Sequence, residues 1–206
     1  MTSGPIVLAT RSAGKLRELR ELFGRAGVSV LDLGEAGILE RPDEEEIEVF
    51  DTFEENALAK ARYFRRRARM PVVSDDSGLE VFALGGAPGV RSKRWSGRRD
   101  LSGQALDDAN NERLLNALRN VSDRRARYVC IATLVDGPSE RVFRGEATGR
   151  ILEEPKGRGG FGYDPYFFSD DLGKTFAEAS IVEKERVSHR GRAFQRLIAW
   201  LERRPR

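Results

Sequence analysis

The sequence predicts an α/β protein built on a mixed sheet, and three observations carry that prediction. Short apolar, β-prone runs alternate with amphipathic stretches from the N-terminus onward. Two long β-prone runs meet at Gly137-Pro138, which predicts a hairpin and so an antiparallel pair. The chain has 206 residues, of which 39% are hydrophobic, enough for the core of one domain or of two tight lobes.

The elements follow in order. PIVLAT, residues 5–10, reads as a strand, and Arg11 to Gly14 as a polar turn. A helix follows over 15–26, with Leu16, Leu19, Leu22 and Phe23 on one face. VSVLDL, 28–33, alternates and reads as a strand, and 34–51 as an irregular acidic stretch. Thr52 with Glu55 makes a capping box for a helix over 53–68 with Phe53, Ala57, Ala61 and Phe64 inward, and Pro71 stops it. MPVVSDDSG reads as a strand ending in a turn, LEVFAL as another short strand, and GGAPGVRSKRWSGRR as a glycine-rich loop. A third helix covers 103–119 on Leu106, Ala109, Leu114, Ala117 and Leu118. The hairpin strands are 127–136 and 140–148, followed by the loop EEPKGRGGFGYDPYFF. Ser180 with Glu183 is a second capping box, and a helix bearing Phe194, Leu197, Ile198 and Leu201 closes the chain. No internal repeat and no linker interrupts this order.

Composition narrows the function classes. No run of 18 apolar residues exists to span a membrane, and MTSGPIVLATRSAGK lacks the basic and apolar regions of a secretory leader. One cysteine, Cys130, excludes a disulfide framework and a cysteine zinc site. These features predict a soluble, cytoplasmic protein. Lys and Arg number 36 against 33 Asp and Glu, a net charge of +3, and only six of the 36 are Lys. A charge of +3 over this length is a weak field, so charge alone argues little for nucleic acid.

Five clusters could carry chemistry. Thr10-Arg11-Ser12-Ala13-Gly14-Lys15 lies between a strand and a helix, where backbone N–H groups, a hydroxyl and an ammonium can meet an anion. The same residues equally suit an ordinary turn with Ser12 as N-cap, and Walker A spacing is missing. Ser74-Asp75-Asp76-Ser77-Gly78 sets two carboxylates at a strand end, a costly pairing unless a cation or a proton-transfer role compensates. Oxygen ligands of this kind suit Mg²⁺ with phosphates. Asp43-Glu44-Glu45-Glu46, with Glu48 and Glu55 nearby, could lend one further carboxylate, most of the run being a solvated loop. In Gly157 to Pro165, glycines flank Phe161, a ring able to stack on a base or to tuck into the core. Lys184, His189 and Arg190 gather three donors within seven residues, although a lone histidine is more often packing than catalyst.

Taken together, TRSAGK, TFEENALAKA, SDDSGLEV, LGGAPGVRSKRWSG, GGFGYDPYF, GKTFAE and EKERVSHRG resemble the non-canonical purine nucleoside triphosphate pyrophosphatases, the family that includes inosine triphosphate pyrophosphatase. The likeness runs from Val7 to Leu197. It implies a single pyrophosphatase domain over 1–206, with a long mixed sheet flanked by helices in two lobes around a central substrate cleft. It implies hydrolysis of ITP, dITP and XTP between the α- and β-phosphates, with Mg²⁺, by a homodimer without membrane or nucleic-acid partners. Position by position, it implies that Thr10, Arg11, Ser12, Ala13, Gly14 and Lys15 hold the triphosphate. Asp76 would be metal ligand and general base, with Ser77 on the substrate. Phe161, Gly162, Tyr163 and Asp164 would line the base and sugar pocket, and Lys184, His189 and Arg190 would contact the base. Two positions depart from the family pattern. Ser12 stands where Asn is usual, and Ile47-Glu48-Val49-Phe50 stands where Glu-Glu-Thr-Gly is usual. The second metal carboxylate is therefore Glu48, with Glu46 the next choice.

The residue chemistry agrees with the resemblance. Phosphoanhydride hydrolysis needs neutralised charge and a positioned water. Donors facing position six of the base accept a carbonyl and reject an amino group. Two other readings stay open: a pyrophosphatase for modified pyrimidine or ordinary deoxynucleotides, and a basic nucleic-acid module using Phe161 and the arginines.

Overall fold

In the computed structural model, which describes residues 4–203, the elements run β1 (Ile6–Leu8), α1 (Ala13–Arg25), β2 (Val30–Leu31), α2 (Phe53–Ala68), β3 (Val72–Val81) and α3 (Gly103–Ala117). They continue with β4 (Arg125–Asp136), β5 (Ser139–Ile151), β6 (Phe167–Ser169), β7 (Lys174–Thr175), α4 (Ile181–Val187) and α5 (His189–Arg203). Met1–Ser3, on which part of the leader reading rests, lie outside the described residues. Seven strands form one sheet in the order β2-β1-β3-β4-β5-β6-β7. β1 is parallel to β2 and to β3, with Val7 opposite Leu31 and Val72, whereas β5–β6 and β6–β7 are antiparallel. The sheet is mixed, as expected. No helix among the described residues is long and apolar enough to cross a membrane.

The chain divides into two compact units. Among the described residues the first comprises 4–76, 130–145 and 190–203, and the second comprises Ser77–Val129 and Glu146–His189. In the first unit alternate strand residues separate two apolar clusters. Ile6, Leu8 and Val73 pack with Leu19, Leu22 and Phe23 of α1 and Phe194, Leu197, Ile198 and Leu201 of α5. Val7 and Val72 pack with Ala61 and Phe64 of α2. Successive side chains of a strand point to opposite faces, so α1 and α5 cover one face and α2 the other. Phe23 meets Phe194 edge to face at 5.8 Å, and truncating either ring costs about 3–5 kcal/mol. The core of the second unit gathers Leu114 of α3 and Leu118, its C-cap, with Tyr128, Tyr163, Phe167 and Phe176.

The structure departs from expectation in several places. The strand–turn–strand expected across SDDSGLEV is one ten-residue strand, β3, and the 74–78 stretch is extended rather than turned. Its polar side chains stay in the sheet because each finds partners. Ser74 Oγ, for example, donates to the Ala57 carbonyl at 2.6 Å and lies 2.9 Å from Thr133 Oγ1. β2 keeps only Val30 and Leu31. At Thr52 half of the capping box forms. Thr52 Oγ1 accepts the Glu55 N–H at 3.2 Å, but its hydroxyl donates to the Glu55 carboxylate, which does not reach back to the cap N–H. The box at Ser180 is complete and starts the short α4. On α3, Leu114 is buried, as is Leu118 at its C-cap, but Ala117 is exposed, and Asn110 and Asn111 take the inward positions. The loop after β5 also delivers a strand, β6, which with β7 was not foreseen.

Candidate functional site

In the first unit the site grows from the end of β1. Ser12 is the N-cap of α1, its hydroxyl accepting the Lys15 N–H at 3.4 Å while its own N–H donates to Thr10 Oγ1 at 3.2 Å. Thr10 is buried, Ser12, Gly14 and Lys15 are half-buried, and Arg11 and Ala13 are exposed. Arg11 turns to the acidic stretch, donating to Glu44 at 3.1 and 2.9 Å and to the Ile38 carbonyl at 3.2 Å. Glu44 also pairs with Arg67 at 2.9 Å, and Asp43 accepts from the Tyr63 hydroxyl at 3.0 Å. Asp43, Glu45 and Glu46 are exposed, in line with a solvated stretch, and Glu44 is half-buried.

The centre is Asp75-Asp76, with side chains 1% and 8% exposed. Adjacency on a strand sends them to opposite faces. Asp75 lies on the face of α1 and α5. Lys15 Nζ is 3.0 Å from its Oδ2, Arg190 Nε donates to the same oxygen at 3.3 Å, and the Cys130 thiol lies 3.9 Å away. Arg190 is itself fixed by Glu18 of α1 at 2.7 Å. Burial alone would push the Asp75 carboxyl up, but Lys15, Arg190 and Lys60 outweigh it and hold it well below the usual range.

Asp76 faces α2 and behaves oppositely. Burial, reinforced by the nearby Glu48 carboxylate, pushes it up to about 6 against Lys60, Lys15 and a hydrogen bond from Asn56. Lys60 Nζ donates to Glu48 Oε1 and, at 2.6 Å, to the Asp75 carbonyl. Burial would raise Glu48 as well, yet Lys60 and Lys15 bring it below its ordinary value. Glu48 thus belongs to this cluster, while Glu46 is exposed. Among the described residues no three His, Cys, Asp or Glu side chains form a ready metal cage. Asp76 and Glu48 nevertheless fit a hard divalent ion that takes one or two carboxylates and completes its shell from phosphate and water.

In the second unit the centre is Asp164, 2% exposed. Its Oδ2 accepts the Phe161 N–H at 2.9 Å and meets Lys184 Nζ at 2.6 Å. Lys184 lies 5.0 Å from the Phe161 ring centroid and 5.5 Å from that of Phe176. α3 grips the next peptide from both sides. The Gly162 N–H donates to Asp107 at 2.7 Å, and Asn111 Nδ2 donates to the Gly162 carbonyl at 2.9 Å. Burial raises Asp107, with only partial relief from that N–H. The Tyr163 hydroxyl donates to the Ser92 carbonyl at 2.8 Å, and Ser77 is half-buried. His189 stacks on Tyr128, with centroids 4.4 Å apart, and Tyr128 stacks on Phe176 in turn. At Gly160, φ is +73° and an added Cβ would lie 2.2 Å from Asp164 Oδ2. That glycine serves the close approach of the protein to itself.

Phe161, Gly162, Asp164 and Lys184 therefore converge in one unit, and Lys15, Asp76, Glu48 and Arg190 in the other. Glu18, Asn56, Lys60, Asp107 and Asn111 were not foreseen. For two of them a signal existed. Phe53, Asn56, Ala57, Lys60, Ala61 and Phe64 share one helical stripe, so an amide and an ammonium sit on an otherwise apolar face.

The fold and these centres define an α/β protein whose mixed sheet holds a buried carboxylate–ammonium cluster of the kind that handles phosphates. The model of the Ham1 family matches residues 6–200. The chain is 50% identical to the dITP/XTP pyrophosphatase of Mycolicibacterium paratuberculosis over 96% of each chain. It is 47% identical to that of Frankia alni, over 95% of this chain and 96% of the relative. The solved HAM1 protein of Coxiella burnetii superposes with a TM-score of 0.82 at 34% identity, over 97% of this chain and 99% of that one. The chain belongs to the Ham1 family.

Proposed function

We propose that the protein hydrolyses the deaminated purine nucleoside triphosphates ITP, dITP and XTP to the monophosphate and pyrophosphate, clearing them from the nucleotide pool. The observation that carries the reading is Asp76: a buried carboxylate pushed up to about 6, beside a second carboxylate and two ammonium groups. A base of that strength is ionised at neutral pH and still accepts a proton readily.

In this reading Thr10 to Lys15 seat the triphosphate with the α1 N-terminus, the Lys15 ammonium and backbone N–H groups. Asp76 and Glu48 would hold a bound Mg²⁺, which would supply neutralisation of phosphate charge and acidification of a bound water. Asp76 takes the proton of the attacking water as its oxygen bonds to the α-phosphorus and the bridging oxygen departs with pyrophosphate. Lys60 holds Glu48 in place, and Arg190 with Lys15 fixes Asp75. Phe161 to Asp164 receive base and sugar, Ser77 touches substrate, and Lys184, His189 and Arg190 contact the base, His189 and Arg190 as donors for the six-carbonyl.

We also propose that 1–206 act as one catalytic domain, as a cytoplasmic homodimer with no nucleic-acid partner. The deciding experiment is a panel of ordinary and deaminated nucleoside triphosphates assayed with and without Mg²⁺. Monophosphate and pyrophosphate from ITP, dITP and XTP, with ATP and GTP largely spared, is the expected result. Diphosphate and phosphate, or equal turnover of ATP, would reject the reading.

A further inference from the structure

The α2 stripe contains an amide placed where apolar packing would be cheaper. Asn56 is 1% exposed, one turn after the Thr52 cap, and lies between Phe53 and Ala57 in the buried face. A buried amide is tolerated only when its hydrogen bonds are made. Asn56 Oδ1 accepts the Phe50 N–H at 2.9 Å, and Nδ2 donates to the Phe50 carbonyl at 3.1 Å. One side chain thus holds both backbone groups of a single loop residue, two positions after Glu48. The same side chain hydrogen-bonds to Asp76. Four residues on, Lys60 holds Glu48 itself and the Asp75 carbonyl. The sole covalent path between Glu48 and Asp76 runs through all of α2, so local chain stiffness cannot set the position of one carboxylate against the other.

We infer that Asn56 is a positioning residue that sets the Glu48-bearing loop against Asp76, so that the two carboxylates are placed to hold a divalent cation together. The inference rests on the proposed metal role of those two carboxylates. Lys60 pulls on the Glu48 side chain, whereas Asn56 fixes the backbone that carries it. A cation displacing the ammonium from Glu48 would find the loop already in register.

The test is the uptake of Mn²⁺ by the nucleotide-free protein, followed by the loss of the free-ion electron paramagnetic resonance signal. The unaltered chain should bind one ion, and Asp76→Asn and Glu48→Gln should each abolish that binding. Asn56→Ala should weaken it at least about tenfold, as loss of a group that orients a metal ligand does. It should raise the Mg²⁺ concentration needed for half-maximal activity by a similar factor and leave the nucleotide KM at saturating Mg²⁺ within about twofold. A residue that merely staples the loop would lower the melting temperature and leave Mn²⁺ affinity unchanged, which would overturn the inference. If Asn56→Ala does not fold, Asn56→Ser is measured by the same criteria. Failure of Mn²⁺ uptake to respond to Asp76→Asn and Glu48→Gln overturns the metal reading itself. Loss in those two variants with retention in Asn56→Ala overturns only the role of Asn56.

Discussion

The two units solve the burial of polar groups in contrasting ways. In the first, charge is met by charge many times over: Asp75 has Lys15 and Arg190, Arg190 has Glu18, and Lys60 has Glu48. At the centre of the second, the buried ion pair Lys184–Asp164 lies among aromatic rings, and Asp107 and Asn111 hold the backbone of Gly162. A network of charges can accept a highly charged group by exchanging partners. A single pair among rings and clamped peptides fixes a shape and a set of donors. The first arrangement suits phosphates, a cation and a moving proton, and the second suits the reading of a flat heterocycle.

The contrast breaks first under deletion of a cation. Lys184→Met leaves Asp164 buried with its ion-pair partner gone, and the free energy of unfolding should fall by about 3–5 kcal/mol in urea titrations. Lys15→Met removes one of two cations from Asp75 and should cost less, about 1–3 kcal/mol. Equal losses would show that redundancy of partners gives the first unit no protection.

Next in size is Asp76→Asn, which keeps the shape while removing negative charge and proton acceptance. It should lower kcat by at least ~10² with the melting temperature held or raised, since a buried carboxylate is relieved. Activity within a few-fold of the unaltered protein would move the base elsewhere, with Asp75 the first suspect. The surroundings argue against Asp75, whose proton affinity is suppressed by Lys15, Arg190 and Lys60.

Much of this was legible in the sequence and some was not, for physical reasons. The face of α2 is legible in the sequence, because burying an amphipathic stripe is a local decision: Phe53, Ala57, Ala61 and Phe64 all point inward. That of α3 is not, since Asn110 and Asn111 are buried and Ala117 is exposed. β3 was read as broken because Ser, Asp and Gly are poor strand formers, and their partners come from α1, α2, α5 and β4, far away in the chain. Asp75 and Asp76 were identified together but read as one repelling pair, when strand alternation gives them opposite faces and opposite proton affinities. Asp107 and Asn111 left no periodic signal, since what they hold is a peptide more than 50 residues on. Lys60 and Asn56 did leave one, as polar interruptions of an apolar stripe.

The third effect separates the units by pH. Asp76 lies near 6, raised by burial. As pH falls through that value the base becomes protonated, so kcat/KM should decline, approaching tenfold per unit well below it. A cation favours the ionised carboxylate, so more Mg²⁺ should move this limb to lower pH. A limb that ignores Mg²⁺ would belong to a group away from the carboxylates of the first unit.

The smallest expected effect concerns Arg190, which sits in the network of the first unit and yet is proposed to read the base. Its Nε and Nη1 are engaged with Asp75 and Glu18. A guanidinium presents its N–H donors in a rigid plane, so these two bonds fix how the fork is oriented. Arg190→Ala should then do two things. Loss of the cation from Asp75 disturbs the phosphate side, lowering kcat/KM for ITP and ATP by a common factor. Loss of the donor to the six-carbonyl adds a further decrease for ITP alone, because the six-amino group of ATP cannot accept that bond. A hydrogen bond from a charged group contributes about 1.5 kcal/mol at the low end, so the ITP-to-ATP preference should narrow about tenfold. Steady-state kinetics on both nucleotides separate the two effects. A common decrease with an unchanged ratio would confine Arg190 to Asp75 and leave discrimination to Lys184 and His189, and the division of labour between the units would then be complete.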